Sequence, residues 1–320
     1  METVTLKVGN SIKERRIDKY LHGRFSNFSR VMLQNVIKAG GVKVNGQLVK
    51  PSFRLSSADE IELSLPELPS KEIEPEEIPL EIIYEDEDII VLNKQPDILV
   101  HPARGNTHGT LVNALAFYSD KLSSGLGEFR PGIIHRLDKN TTGIMVVARN
   151  DIAQWKIAKQ FENREINKGY LAIVHGVPEL TADRINAPLG IHPKIREKYS
   201  IRPEIGKEAV TFYEVLEEFR GFSLLVLTPR TGRTHQIRVH LSYIKHPIVA
   251  DEMYGGRLVY PWQLADTEPA VQEPVIDRTA LHATTLEFKH PTTNKQVKFE
   301  AALPEDMQRL LDMLREYRKH

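Results

Sequence analysis

The chain has 320 residues, 41% of them hydrophobic, with 43 Lys/Arg balanced by 43 Asp/Glu; this is length for two domains and apolar content for a substantial core. No cysteine occurs, which excludes disulfides, thiolate catalysis and cysteine-ligated zinc. The opening Met1-Glu2-Thr3-Val4-Thr5-Leu6-Lys7 lacks the apolar core of a signal peptide and no stretch approaches a membrane span, so a globular, cytoplasmic protein is expected. The balanced charge hides a segregation: residues 1–60 carry eleven Lys/Arg against five Asp/Glu, and residues 61–88 carry one Lys against eleven acids. A basic terminal module points to a polyanionic partner.

Ser11 is placed to cap a helix with Ile12, Ile17, Tyr20 and Leu21 on one side and Lys13, Arg15, Arg16 and Lys19 around it. Ser29 caps a second helix, Arg30 to Ala39, which stops at Gly40-Gly41, where glycine takes the left-handed conformation. Val42 to Val49 then alternates around Asn45-Gly46, a hairpin signal. This order resembles a small RNA-binding module first recognised in a ribosomal small-subunit protein. The resemblance covers roughly residues 13–63, through Arg16-Ile17-Asp18-Lys19-Tyr20-Leu21, Ser29-Arg30, Gly40-Gly41-Val42-Lys43-Val44-Asn45-Gly46 and Asp59-Glu60-Ile61. It implies a basic helical face docked on structured RNA, with Arg15, Lys19, Arg30, Lys38 and Lys43 neutralising phosphates and making affinity salt-sensitive. From charge alone, a solvated helix face is the plainer reading.

Residues 64–80 contain four prolines and a heavy acidic load, and read as an extended linker between a domain at 1–63 and a second at 81–320. The second opens with an expected hairpin, Ile82-Ile83-Tyr84 and Ile89 to Lys94 around an acidic turn. Helices are expected from Thr110, from Asp151 to Asn163, and from Pro304 to His320, the last through Met307, Leu310, Leu311, Leu314 and Tyr317. Between them lie many short apolar runs, including Lys168 to Val174, Ala209 to Leu216, Phe222 to Leu227 and Leu281 to Phe288, and a basic connection from Gly190 to Tyr199 that reads as an exposed loop or an RNA-backbone contact. The fold class is α+β: a small helix-helix-hairpin domain, a Pro/Glu-rich linker and a large sheet-dominated domain.

The chemistry concentrates in Gly132-Ile133-Ile134-His135-Arg136-Leu137-Asp138-Lys139-Asn140-Thr141-Thr142-Gly143. Ile133-Ile134 and Ile144 to Ala148 read as buried strands joined by a charged connection. Asp138 should stay ionised between Arg136 and Lys139, which suits a nucleophile or general base better than an acid; a surface ion-pair turn is the plainer alternative. Thr231-Gly232-Arg233-Thr234-His235-Gln236-Ile237-Arg238 supplies donors without a neighbouring carboxylate, so its arginines need an anion, either phosphate or Asp138.

Together with Asn93-Lys94-Gln95-Pro96, His101-Pro102 and Lys168-Gly169-Tyr170, these runs resemble the RluA-type pseudouridine synthases from about residue 80 to about residue 292. By that resemblance Asp138 is the nucleophile, Tyr170 stacks under the target base and takes part in proton removal, and Arg238 pairs with the aspartate. Arg136 displaces the target nucleotide, Leu281-His282-Ala283 forms an apolar wall, and Lys139, Arg233, His235 and Gln236 contact the RNA. Gln95-Pro96-Asp97-Ile98-Leu99 departs from the family's Pro-Ala-Gly run. The resemblance implies an RNA pseudouridine synthase acting on structured RNA, foremost large-subunit ribosomal RNA and secondarily transfer RNA, without metal or organic cofactor; the sequence does not fix the oligomeric state, and a monomer is the default expectation. The histidines at 101, 108, 135, 235 and 240 form no His-Glu-x-x-His pattern, so no metal is expected. A noncatalytic RNA-binding assembly factor on the same scaffold is the competing reading.

Overall fold

Asn45 and Gly46 take positive φ values of 50° and 76°, the pair a type I′ turn requires, and they join Val42–Val44 to Gln47–Leu48 as the expected hairpin. In the computed structural model, which describes residues 2–9, 15–25, 28, 30–65, 73–102, 107–124, 130–268 and 273–320, this hairpin belongs to the first of two compact units, Met1–Glu72 and Ile73–His320. Helices Ile17–Arg24 and Arg30–Lys38 bury Ile17, Tyr20, Leu21, Leu33 and Ile37 with Val42, Val44, Ile61 and Leu63 of a four-stranded sheet. That sheet runs Glu2–Lys7, Glu60–Leu65, Val42–Val44, Gln47–Leu48. The first helix begins later than Ser11 would start it, because Arg15–Arg16 is extended and pairs with Arg54–Leu55. Ser11 and Ser29 lie outside the described residues.

The second unit starts at Ile73, inside the span read as linker. Ile73, Ile78 and Leu80 pack on its core, the Glu76 N–H donates to the Asn113 carbonyl and Asn113 Nδ2 donates to the Glu74 carbonyl. The correction is physical: three apolar side chains, spaced among prolines and acids, are enough to hold an extended segment against a core.

Nine strands form the sheet of this unit. Its order is Ala182–Asn186, Val210–Phe219, Phe222–Pro229, Asn167–His175, Leu281–Lys289, Thr142–Ala148, Ile89–Lys94, Glu81–Glu85, with Gln296–Glu300 also paired to Leu281–Lys289. One junction is parallel, Thr142–Ala148 beside Leu281–Lys289, through His282 opposite Thr142 and Ala283 opposite Gly143. Gly143 has φ 118°, and a Cβ there would collide with the Ala283 backbone, so the close approach of these strands depends on glycine. Every residue of Thr142–Ala148 is buried, as a fully covered strand should be.

Helices Leu111–Tyr118, Asp151–Glu162 and Glu305–Tyr317 lie where the sequence places them. Ile133-Ile134 differs: it forms no strand, only a bridge from Ile133 to Val147, because Gly132 at φ 73° turns the chain and leaves the run to Asp138 irregular. The basic connection closes a two-stranded hairpin, Leu189–Ile191 with Tyr199–Ile201. Among the described residues no helix is long and apolar enough to cross a membrane.

Candidate active site

Asp138 stands on a short turn, its carbonyl accepting from the Thr141 N–H at 3.1 Å, just after the buried side chain of Leu137. The turn is fastened from beneath by Lys94, fully buried at the end of Ile89–Lys94. Its Nζ donates to the carbonyls of Lys139 at 2.9 Å and Gln95 at 2.8 Å. Burial pulls the Lys94 amine down to about 7, against the opposing pull of the Asp138 charge. Arg136 is exposed on the same run. Lys139 is exposed too and pairs with Asp97 at 2.8 Å.

Arg238 reaches this carboxylate from a helix the sequence did not announce, Gln236–Tyr243, entered through His235 in the left-handed conformation. Gln236 organises the entry: its Oε1 accepts from Thr231 Oγ1 at 2.7 Å and the Arg233 N–H at 3.0 Å. Its Nε2 donates to the Val210 carbonyl and Thr211 Oγ1, each at 3.0 Å. Gln236 is thereby corrected from an RNA contact to a loop fastener, since its amide is saturated within the protein.

Arg238 Nη1 donates to Asp138 Oδ2 at 3.2 Å. The two-pronged grip a guanidinium can give a carboxylate goes to another acid, as Nε and Nη2 of Arg238 each donate at 2.7 Å to the buried carboxylate of Asp251. Burial disfavours the Arg238 charge, but Asp251 and then Asp138 outweigh it and hold the guanidinium firmly protonated. The arginine therefore bridges two acids. His235 places Nε2 3.8 Å from Asp138 Oδ2 and Nδ1 2.8 Å from the Tyr254 hydroxyl; burial lowers its pKa.

Tyr170 enters from strand Asn167–His175 at a register shift against Leu281–Lys289, between Gly169 and Tyr170. Such bulges re-aim a side chain. The ring packs against both hydrophobic cores of the unit. Burial, with the Asp138 charge adding to it, raises its hydroxyl pKa far above the usual phenol. Leu281, buried, completes the apolar side, and Lys168, pulled down to about 8 by burial, lies next to the tyrosine.

Asp138, Tyr170, Arg238, His235, Arg136, Arg233 and Leu281 all line one cleft of about 570 Å³, joined by Arg164, Lys168 and Arg230. Cations rim an opening whose lining carries two carboxylates, Glu162 paired with Lys159 and Asp138 held by one bond to Arg238, an arrangement suited to an anionic polymer presenting one reactive centre. The signal for Lys94 and Lys168 lay in the motifs. Asp251 and Tyr254 gave no local signal, being brought in only by the fold.

In the first unit Arg15, Lys19, Lys38 and Lys43 are exposed. Arg30 is corrected in part: its Nε and Nη2 bond to the buried Asp18 at 3.2 and 2.8 Å, so much of its charge is committed inside the unit. Four of the five histidines weighed as metal ligands have protein partners, His108 with Glu76 and His235 with Tyr254 among them, while the buried His101 Nδ1 has none among the described residues. His135 Nε2 accepts from the Val146 N–H, and His240 sits between Thr211 and the Ala187 carbonyl. Asp86, Asp88 and His290 do cluster, yet His290 Nδ1 accepts from the Thr292 and Thr293 N–H groups. Its Nε2–H then donates to Asp86 at 2.8 Å, so the nitrogen a metal would need carries a proton.

The sequence model of the RNA pseudouridylate synthase family matches residues 88–243, and that of the S4 domain matches residues 15–61. The chain is 42% identical to an uncharacterized RNA pseudouridine synthase of Chlorobaculum parvum, over 98% of both chains. It is 41% identical to the ribosomal large subunit pseudouridine synthase D of Xanthomonas campestris, over 97% of this chain and 92% of that one. A solved structure, human RNA pseudouridylate synthase domain containing 4, matches with a TM-score of 0.56 and 27% identity over 73% of this chain and 93% of that one. The chain belongs to the RNA pseudouridylate synthase family, with an S4 RNA-binding domain ahead of the catalytic part.

Proposed function

We propose that this enzyme isomerises uridines of large-subunit ribosomal RNA with Asp138 as nucleophile and no cofactor. The N-terminal unit binds the RNA and the unit from Ile73 to His320 carries out the chemistry, in the cytoplasm where ribosomes assemble. The observation that carries the chemical reading is a partly exposed carboxylate, 20% accessible, held by one hydrogen bond to Arg238 in a cation-rimmed cleft. The ribosomal target rests on the large-subunit synthase of Xanthomonas campestris, which is alike over nearly the whole chain.

In this mechanism the target uridine leaves its stack, its place taken by the exposed Arg136, and its base settles on Tyr170. Asp138 attacks C1′; the N1–C1′ pair departs with the uracil as an anion, which turns in the cleft. C5 then joins C1′, the carboxylate is released, and the proton on C5 moves away as N1 regains one. Nothing is oxidised or reduced. Tyr170, a neutral phenol by its raised pKa, takes the C5 proton only while handing its own on; the freed Asp138 carboxylate is the alternative acceptor. The developing anion and cation are stabilised by fixed charges of the site rather than by reorganising water.

The test is release of tritium from 5-tritiated uridine in ribosomal RNA. Wild type should release it and Asp138→Asn should not. A wild-type protein that binds ribosomal RNA but releases no tritium would support the noncatalytic assembly factor instead.

A further inference from the structure

Arg238 is a single cation facing two carboxylates. Asp251 takes its Nε and Nη2 edge at 2.7 Å on both bonds, leaving Nη1 as the one donor for Asp138. The Tyr254 ring lies over the same guanidinium, 4.9 Å from its carbon, at a spacing where cation and ring attract. Both residues come from one turn. The Asp251 N–H donates to the Ile248 carbonyl, and the Tyr254 and Gly256 N–H groups both donate to the Asp251 carbonyl. Gly256 is packed so closely that a Cβ would collide with the Ile248 carbonyl. The turn is therefore rigid, and what it presents is fixed.

Tyr254 also sets His235. Its hydroxyl oxygen accepts the Tyr199 N–H at 2.9 Å and lies 2.8 Å from His235 Nδ1, a hydrogen bond that fixes the plane of that ring. The other ring nitrogen, Nε2, then faces Asp138 at 3.8 Å. One turn thus orients both groups that flank the nucleophile.

We infer that Asp251 is a positioning residue for the isomerisation: it balances the charge of Arg238 and locks its plane, so that Arg238 aims Asp138 at C1′ through one bond without quenching it. Tyr254 has the same role for His235. The inference rests on the reading of Asp138 as nucleophile. Without Asp251 the guanidinium is free to turn and chelate Asp138 with two parallel bonds, which draws the carboxylate off its attacking line and ties up the lone pairs it needs. The effect belongs to the chemical step, because Asp251 is buried away from RNA.

The experiment is a cycle of Asp251→Asn, Arg238→Gln and the double variant, with kcat, KM and the unfolding temperature measured for each on a ribosomal RNA fragment, beside Asp138→Asn. Asp251→Asn is expected to lower kcat about 10²-fold, the cost of misplacing a reacting group by about 1 Å, with KM unchanged. In the double variant kcat should equal that of Arg238→Gln, since Asp251 acts only through the arginine. That comparison contains no uncovered buried cation and holds even if the single asparagine variant folds poorly. A kcat for Asp251→Asn within twofold of wild type, a parallel loss in kcat and RNA affinity, or a full additive loss in the double variant overturns the inference. If Asp138→Asn is inert while Asp251→Asn is not slowed, only this inference falls. If Asp138→Asn turns over normally, the nucleophile reading falls and carries this inference with it.

Discussion

Asp18 of the first unit and Asp138 of the second are both carboxylates among arginines, and they are held in opposite ways. Asp18 has no accessible side-chain surface and receives Nε and Nη2 of Arg16, Nε and Nη2 of Arg30 and the Gln34 amide. Burial alone would raise its pKa; those donors more than reverse this and hold it well below the usual carboxylate range. Asp138 keeps one bond of 3.2 Å and a face open to the cleft. A saturated carboxylate builds structure, and an undersaturated one is left free to react. Sites of function commonly forgo such satisfaction.

The comparison breaks most sharply at Asp138. Asp138→Asn should lower turnover by about 10³-fold or more, as loss of a nucleophile does, while the thermal unfolding curve stays where it was. A fall in unfolding temperature comparable to that of an Asp18 variant would erase the distinction between the two residues.

Asp18→Asn should do the reverse. Removing one charge of a buried pair costs about 3 kcal/mol, visible as early urea unfolding of the first unit, with kcat unaltered. The sign with pH follows. Because the folded pKa lies below the unfolded value of about 3.9, the stabilisation is complete above about pH 4 and is lost as pH falls toward the folded value. The asparagine variant should lack that acid dependence.

Lys94→Met sharpens the contrast, since it touches the loop of Asp138 but not the carboxylate. Two carbonyls lose their donor in part-buried bonds, worth about 1 kcal/mol or more of stability in the second unit, and kcat should fall with the loosened loop. Lys94 at about 7 in the fold titrates below its unfolded value of about 10.4. The unfolded chain therefore binds more protons between these values, and wild-type stability should rise with pH across that window. Denaturant midpoints of the methionine variant should show no such rise. The smallest effect belongs to the first unit's surface: Lys38→Gln with Lys43→Gln should weaken RNA binding and reduce the slope of log Kd against log salt by about 2. An unchanged slope would remove these lysines from the interface.

The parts legible in the sequence were those whose signal is local. Asn45-Gly46 announces its hairpin by the backbone angles it alone tolerates. Leu111–Tyr118 and Glu305–Tyr317 announce themselves by period. Asp138, Tyr170 and Arg238 stand in runs dense enough in chemistry to be singled out, and the fold brings them to one cleft. Residues 73–80 were misread because proline and glutamate outnumber the three apolar side chains that decide their place. Gln236 was misread because a polar residue among arginines looks like a donor to RNA, when its partners are the backbone and hydroxyls of strand Val210–Phe219 and its own turn. Asp251 was invisible for a related reason: Ala250-Asp251-Glu252 looks like solvated acid, and nothing nearby says that it is buried against Arg238.

The parallel junction at Gly143 carries a consequence for how this enzyme fails. Asp138 leads into Thr142–Ala148, while Tyr170 lies on the far side of Leu281–Lys289, and the backbone register between these two strands is set by His282 opposite Thr142 and Ala283 opposite Gly143. One hydrophobic cluster spans this seam, packing Ile144 and Val146 with Ala283 and Leu286. A slip of that register would move the Asp138 carboxylate relative to the Tyr170 ring, so the alignment of the cleft hangs on a contact outside its lining.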